Sequence, residues 1–138
     1  MVNSKEDIKK FIHDKSFKKI FVLCGKKSFV TSGAEEFFKN KFFEKKIKFF
    51  IKKSEIPIIE ELIEIVNDIK NFKPDLILAI GGGAVIDYAK MANVIDTQAD
   101  LADKIINYSY PYKKKFTKLA AIPTTAGSGA EVTSNAVI

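Results

Sequence analysis

The chain alternates between short, uninterrupted apolar runs and longer segments in which apolar residues return every three or four positions. The runs read as strands and the periodic segments as helices. Ile8, Phe11 and Ile12 share one face of a first predicted helix that starts near Ser4 and ends near His13. Lys18 to Cys24 is a run of β-formers closed by Gly25, and Ile47 to Ile51 is a second such run. Between them a helix is predicted from about Ser28 to Asn40, broken in phase by Ser32-Gly33. Pro57 opens the next helix, whose apolar stripe is Ile58, Leu62, Ile65, Val66 and Ile69. Asp75 to Ile80 is a third strand, and its continuous apolar character suits a central parallel strand covered on both faces. Gly81-Gly82-Gly83 ends it, a helix follows to about Ile95, and Lys118 to Ile122 makes a fourth strand before Pro123. Thr97 to Phe116, with Tyr108, Tyr110 and Tyr112 around Pro111, reads as a loop laid over the surface. Strands alternating with helices predict a doubly wound, mostly parallel α/β sheet in a single domain.

Composition narrows what such a domain can do. With 138 residues, 46% hydrophobic and 12% aromatic, the chain can build a packed core. The longest uncharged apolar stretch, Leu76 to Ile86, is 11 residues with three glycines, too short for a membrane-spanning helix. Acids at Glu6 and Asp7 stand where a secretory signal would be apolar, so a cytoplasmic location is expected by default. One cysteine, Cys24, excludes an internal disulfide framework and a multi-cysteine zinc site. One histidine, His13, excludes a His-rich metal site built from this chain alone. Net charge is +6, yet all 23 basic residues are lysines scattered along the chain. Base readout leans on the guanidinium fork, which lysine lacks, so nucleic acid is not an expected partner.

Two segments carry chemistry. In Ile80-Gly-Gly-Gly-Ala-Val-Ile-Asp-Tyr-Ala-Lys90 a strand runs into glycines and then a helix. Missing side chains let a diphosphate approach the backbone, and the new helix offers free amides and a positive end. The spacing is neither G-x-G-x-x-G nor a P-loop. In Ala121-Ile-Pro-Thr-Thr-Ala-Gly-Ser-Gly-Ala-Glu-Val-Thr133 a strand delivers hydroxyls and glycines to the same sheet edge. Thr124, Thr125 and Ser128 can donate to phosphate or ribose oxygens, and that carboxyl edge is where open α/β sheets bind ligands. Each segment also has a purely structural reading, as a tight turn or a polar loop. Their joint occurrence on one edge favours an anion-binding role.

Together, residues 81–90 and 122–133 resemble the iron-containing alcohol dehydrogenases, within the dehydroquinate synthase-like superfamily. The resemblance covers essentially the whole chain, 1–138, as that family's Rossmann-like amino-terminal nucleotide-binding domain. It implies that Gly81, Gly82, Gly83 and Ala84 hold a cofactor diphosphate and that Asp87 lies toward the nicotinamide. It further implies that Thr124, Thr125 and Ser128 line the cofactor, with Thr133 and Asn135 on the strand beneath. Ala84 stands where serine is usual, and Ile56 where relatives often have asparagine before the proline.

After the first strand, NAD-preferring members typically carry an aspartate, whereas this chain has Gly25, Lys26, Lys27 and Ser28. Lost carboxylate and added lysines favour a 2′-phosphate, so NADP(H) is expected over NAD(H). By resemblance, the catalytic metal, Fe2+ or Zn2+, belongs to a helical second domain that also walls the cleft for a small alcohol or aldehyde. That domain is expected to be absent from this chain, so no catalytic or metal-binding residue is assigned here. Two readings stay open: the cofactor domain of a metal-dependent dehydrogenase, inactive alone, or a nucleotide-binding or interaction module without turnover. A fragment of a related polyol-phosphate dehydrogenase is a third. An apolar face that a second domain would cover could drive association into a homo-oligomer.

Overall fold

The computed structural model describes residue 10 and residues 17–27 and 45–123. Apart from Lys10, which is helical, the predicted helix from Ser4 to His13 lies outside them, as do the helix from Ser28 to Asn40 and the segment after Pro123. Within the described residues the chain forms β1 (Lys19–Gly25), β2 (Lys46–Lys52), α1 (Ile59–Phe72), β3 (Leu76–Gly81), α2 (Gly83–Val94), α3 (Leu101–Ile106) and β4 (Lys118–Pro123). The strands make one sheet in the order β2-β1-β3-β4 with every pairing parallel. The predicted parallel α/β architecture is what the chain adopts.

Position in the sheet explains the composition of each strand. β3 lies between β1 and β4, and all six of its residues, Leu76 to Gly81, are buried. β2 is one edge of the described sheet, and there Lys46, Lys48 and Lys52 interrupt the apolar residues. Charge along an edge discourages pairing with another chain. On one face Phe21, Leu23, Ile77, Ala79, Leu119 and Ala121 pack against the helices. Ile65 and Val66 of α1 and Ala89 and Ala92 of α2 are fully buried in this layer. Each buried Leu, Ile or Val is worth about 1.5–3 kcal/mol relative to exposure. The opposite face buries Ile20, Val22, Cys24, Leu76, Leu78 and Ile80.

Two expectations need correction. α1 begins at Ile59, and Ile58, assigned to the apolar stripe, is the extended residue before it and is 42% exposed. Its amide is held by the Tyr88 hydroxyl, which fixes an extended backbone instead of a helical one. The stretch from Thr97 to Phe116 is not all loop, because α3 occupies Leu101–Ile106. Six residues are too few to show a periodicity; only Leu101 and Ile105, one turn apart, are buried. The tyrosines divide as surface residues do: Tyr108 and Tyr112 are exposed, while Tyr110 packs against the core.

Entry to the sheet is fixed by polar contacts. Asp75 accepts the amides of Lys18 and Lys19 at 2.9 and 3.0 Å, tying the start of β3 to the start of β1. Buried Asn93 binds both backbone groups of Thr117, at 2.7 and 2.9 Å, and so anchors the approach to β4.

Candidate functional site

The chain goes outward from β1 to β2, then returns to lay β3 on the other side of β1. This reversal makes the carboxyl ends of β1 and β3 the switch point of the sheet, the usual ligand position in an open α/β fold. Both strands end there in glycine, Gly25 and Gly81. A Cβ on Gly81 would stand 2.8 Å from Val85 Cγ2 and 3.4 Å from the Gly25 amide nitrogen, so this close approach requires glycine.

Gly82 is the residue before α2 and Gly83 its first member. Among the described residues no side chain caps α2, and its first turn carries no acid. The amides that a helix leaves unpaired at its start are therefore not taken by a capping side chain. A Cβ on Gly83 would meet nothing within 4 Å among the described residues. Ala84 is half-buried behind it, and Asp87 is exposed one turn further along. Uncapped amides and the positive end of a 12-residue helix suit a phosphate group.

Lys26 and Lys27 follow Gly25 directly and are exposed. Lys52, which pairs with Gly25 in the register of β1 and β2, ends the neighbouring strand. Its ammonium is turned onto the carbonyls of Ser54 and Glu55. The structure thus brings together Gly25, Lys26, Lys27, Gly81, Gly82, Gly83 and Ala84. Ser28, Thr124, Thr125, Ser128, Thr133 and Asn135 lie outside the described residues.

A polar cluster beside this edge was not anticipated from sequence. Glu61 in the first turn of α1 is only 3% exposed. Its carboxylate accepts the Lys53 amide at 2.6 Å, the Ser54 amide at 3.4 Å, the Ser54 hydroxyl, and the Tyr88 hydroxyl at 3.1 Å. The Tyr88 oxygen in turn accepts the Ile58 amide at 2.7 Å. Burial pushes the Glu61 carboxyl upward, but the hydrogen bonds from Ser54, Lys53 and Tyr88 outweigh it and hold the group below its ordinary 4.5. The signal in the sequence was a glutamate four residues before Ile65, in phase with the apolar stripe. Outside this cluster lies an open depression of about 540 Å³ lined by Lys53, Ser54, Ile58, Glu60, Glu61 and Glu64. Three carboxylates in its wall make it a poor place for a diphosphate.

Cys24 is buried in β1 beside the site, and desolvation pushes its thiol up to about 12. A thiol in that state is not a nucleophile. Among the described residues, no three His, Cys, Asp or Glu side chains are grouped to hold a metal ion, and no helix is long and apolar enough to cross a membrane.

A parallel sheet with glycine at both strand ends of its switch point, and a helix starting directly beyond, defines a Rossmann-like α/β domain. Residues 2–138 match the family model for iron-containing alcohol dehydrogenase, and the chain belongs to that family. It is 36% identical over 88 residues to an alcohol dehydrogenase of Thermococcus barophilus, covering 59% of this chain and 23% of that protein. It is 43% identical over 77 residues to an aldehyde-alcohol dehydrogenase of Streptococcus pneumoniae, covering 49% of this chain and 9% of that protein. Among solved structures, an iron-containing alcohol dehydrogenase from Thermotoga maritima aligns with a TM-score of 0.69 at 28% identity, over 96% of this chain and 38% of that one. A sulfoacetaldehyde reductase from Bifidobacterium kashiwanohense, solved with NAD+, shares the fold with a TM-score of 0.72 at 24% identity, over 92% of this chain and 34% of that one. The chain therefore spans less than a quarter of these two sequence relatives and just over a third of these two solved chains.

Proposed function

We propose that this segment holds the nicotinamide dinucleotide of a metal-dependent NAD(P)-linked alcohol dehydrogenase or aldehyde reductase, and that it takes NADP(H) in preference to NAD(H). The observation that carries the binding role is the close approach of Gly25 and Gly81 at the switch point, beside the uncapped start of α2. Gly81 and Gly82 let the backbone approach the diphosphate, and the first amides of α2, from Gly83 and Ala84, bind its oxygens. Thr124, Thr125 and Ser128, with Thr133 and Asn135, complete the lining as the sequence implies. Asp87 lies on the same helix, toward the nicotinamide. The bound dinucleotide supplies a hydride acceptor or donor, and this segment orients it.

Cofactor preference rests on charge. Gly25 is followed by two exposed lysines and Ser28, with no carboxylate to accept from an adenosine ribose. An ammonium near that ribose stabilises a 2′-phosphate as a point charge. The NAD+ seen in the Bifidobacterium reductase belongs to a neighbour that shares the fold alone.

Metal chemistry, by Fe2+ or Zn2+, is assigned outside the described residues, which group no ligands for it. The segment alone then binds dinucleotide without reducing an aldehyde. Titrating the purified chain with NADPH and with NADH, by calorimetry, tests both parts. Tighter binding of NADPH is expected; tighter NADH binding overturns the preference, and binding of neither overturns the site. Aldehyde reduction by this chain alone, with ferrous or zinc ion added, contradicts the assignment of the metal elsewhere.

A further inference from the structure

The connection from β2 to α1, residues 53–58, leaves the sheet beside the candidate site, since Lys52 pairs with Gly25. Its apolar side chains do not anchor it: Ile56 is 71% exposed and Ile58 42%. A segment with so little buried apolar surface takes its position from hydrogen bonds. Those bonds converge on two side chains. Glu61 receives Lys53 and Ser54, and the Tyr88 oxygen receives Ile58. The Tyr88 hydroxyl donates to Glu61 and joins the two sets. Tyr88 is fully buried on α2, whose neighbouring Val85, Ala89 and Ala92 are packed into the core, so α2 is the fixed reference.

Resting on the dinucleotide reading above, we propose that Glu61 and Tyr88 are a positioning pair. They set the 53–58 connection against α2 and so shape the side of the switch point that meets the ribose end of the dinucleotide. A carboxylate and a phenol in an otherwise apolar helix interface are poor choices for stability alone. Buried ionic groups can often be replaced by well-packed hydrophobic residues without loss. Their geometric effect is different: a network with every partner satisfied admits one arrangement of the loop. Lys52 adds a further restraint at the start of the connection, through the carbonyls of Ser54 and Glu55.

On this reading the pair contacts neither diphosphate nor nicotinamide, and this separates positioning from a direct binding role. The full 138-residue chain and its Tyr88→Phe and Glu61→Gln variants are titrated with NADPH and with inorganic pyrophosphate, at a temperature where melting shows each folded. Tyr88→Phe leaves the Ile58 amide without its acceptor and removes one donor to Glu61. NADPH affinity is expected to fall about 3- to 10-fold, the usual worth of one hydrogen bond. Pyrophosphate, which reaches only the glycine cradle on α2, is expected to bind as to the wild type. Glu61→Gln keeps the side-chain shape and is expected to shift the same ratio, which retains the test should Tyr88→Phe not fold. An unchanged ratio of NADPH to pyrophosphate affinity, with tight binding by the wild type, overturns the positioning role alone. A wild type that binds no NADPH overturns the dinucleotide reading and the pair's role with it.

Discussion

Gly81 and Val85, four residues apart across the turn from β3 into α2, are in such close contact that a methyl group on Gly81 would sit 2.8 Å from Val85 Cγ2. The Gly25 amide on the adjacent strand closes the other side. The turn can therefore narrow only where no side chain exists, and this narrowing brings the ends of β1 and β3 together.

Alanine substitutions separate structure from binding at this turn. Gly81→Ala is expected to destabilise the fold by about 1–3 kcal/mol through overpacking and to abolish dinucleotide binding. Gly83→Ala meets nothing within 4 Å, so its stability is expected to stay near wild type. Its new methyl would nonetheless occupy the space assigned to the diphosphate, and binding is expected to fall at least tenfold. Paired denaturation and titration experiments check this. A Gly83→Ala chain that binds like wild type would place the ligand elsewhere.

Lysine charge should be visible in the salt response. Lys26→Ala combined with Lys27→Ala is expected to weaken NADPH about tenfold, near 1.4 kcal/mol, while leaving NADH within about twofold. Wild-type NADPH affinity should also fall more steeply with ionic strength than NADH affinity, since exposed charges are screened over about 10 Å at 0.1 M salt. Parallel salt titrations of the two cofactors measure it, and equal slopes count against a phosphate-lysine contact.

Acid sensitivity follows from Glu61. Its folded carboxyl titrates below the ordinary 4.5 because bonds from Ser54, Lys53 and Tyr88 outweigh the effect of burial. The group therefore contributes stability above its unfolded value, and loses it as pH falls through the lower, folded value. Chemical denaturation from pH 6 down to pH 3 is expected to show wild-type stability declining toward that of Glu61→Gln. A wild-type advantage that is constant over this range would mean that the carboxylate charge has no part in holding the loop.

The strands and the glycine turn were legible in sequence because each depends on one local signal. Leu76 to Ile80 announces a central strand by being apolar throughout, and Gly81-Gly82-Gly83 announces a turn that excludes side chains. The contacts of Glu61 were not legible in the same way. Its partners Ser54 and Tyr88 lie 7 and 27 positions away on different elements, and only the folded β2–α1 connection brings them together. α3 was missed for a related reason: Leu101 and Ile105 bury against a core assembled from distant residues, and Asp100 before them is in a left-handed conformation that no capping pattern marks. Ile58 was misplaced because periodicity cannot register that a distant hydroxyl holds its amide outside the helix.

Cys24 provides a reporter for the site without any substitution. Its side chain is fully buried, and its thiol is pushed up to about 12 by desolvation, so almost no reactive thiolate exists in the folded chain near pH 8. Modification by a disulfide reagent must therefore pass through an opened state. Cys24 immediately precedes Gly25, and its strand neighbours are Ile51 and Ile80, so that opening dismantles the switch point itself. A ligand that binds only the closed form lowers the opened population by the factor 1 + [L]/Kd, about 100-fold at a hundred times Kd. Cysteine labelling is expected to be slow in the free chain, about 100-fold slower in saturating NADPH, and rapid in denaturant. Labelling that ignores NADPH would show that the dinucleotide does not hold β1 and β3 together; rapid labelling of the native chain would contradict the burial of Cys24.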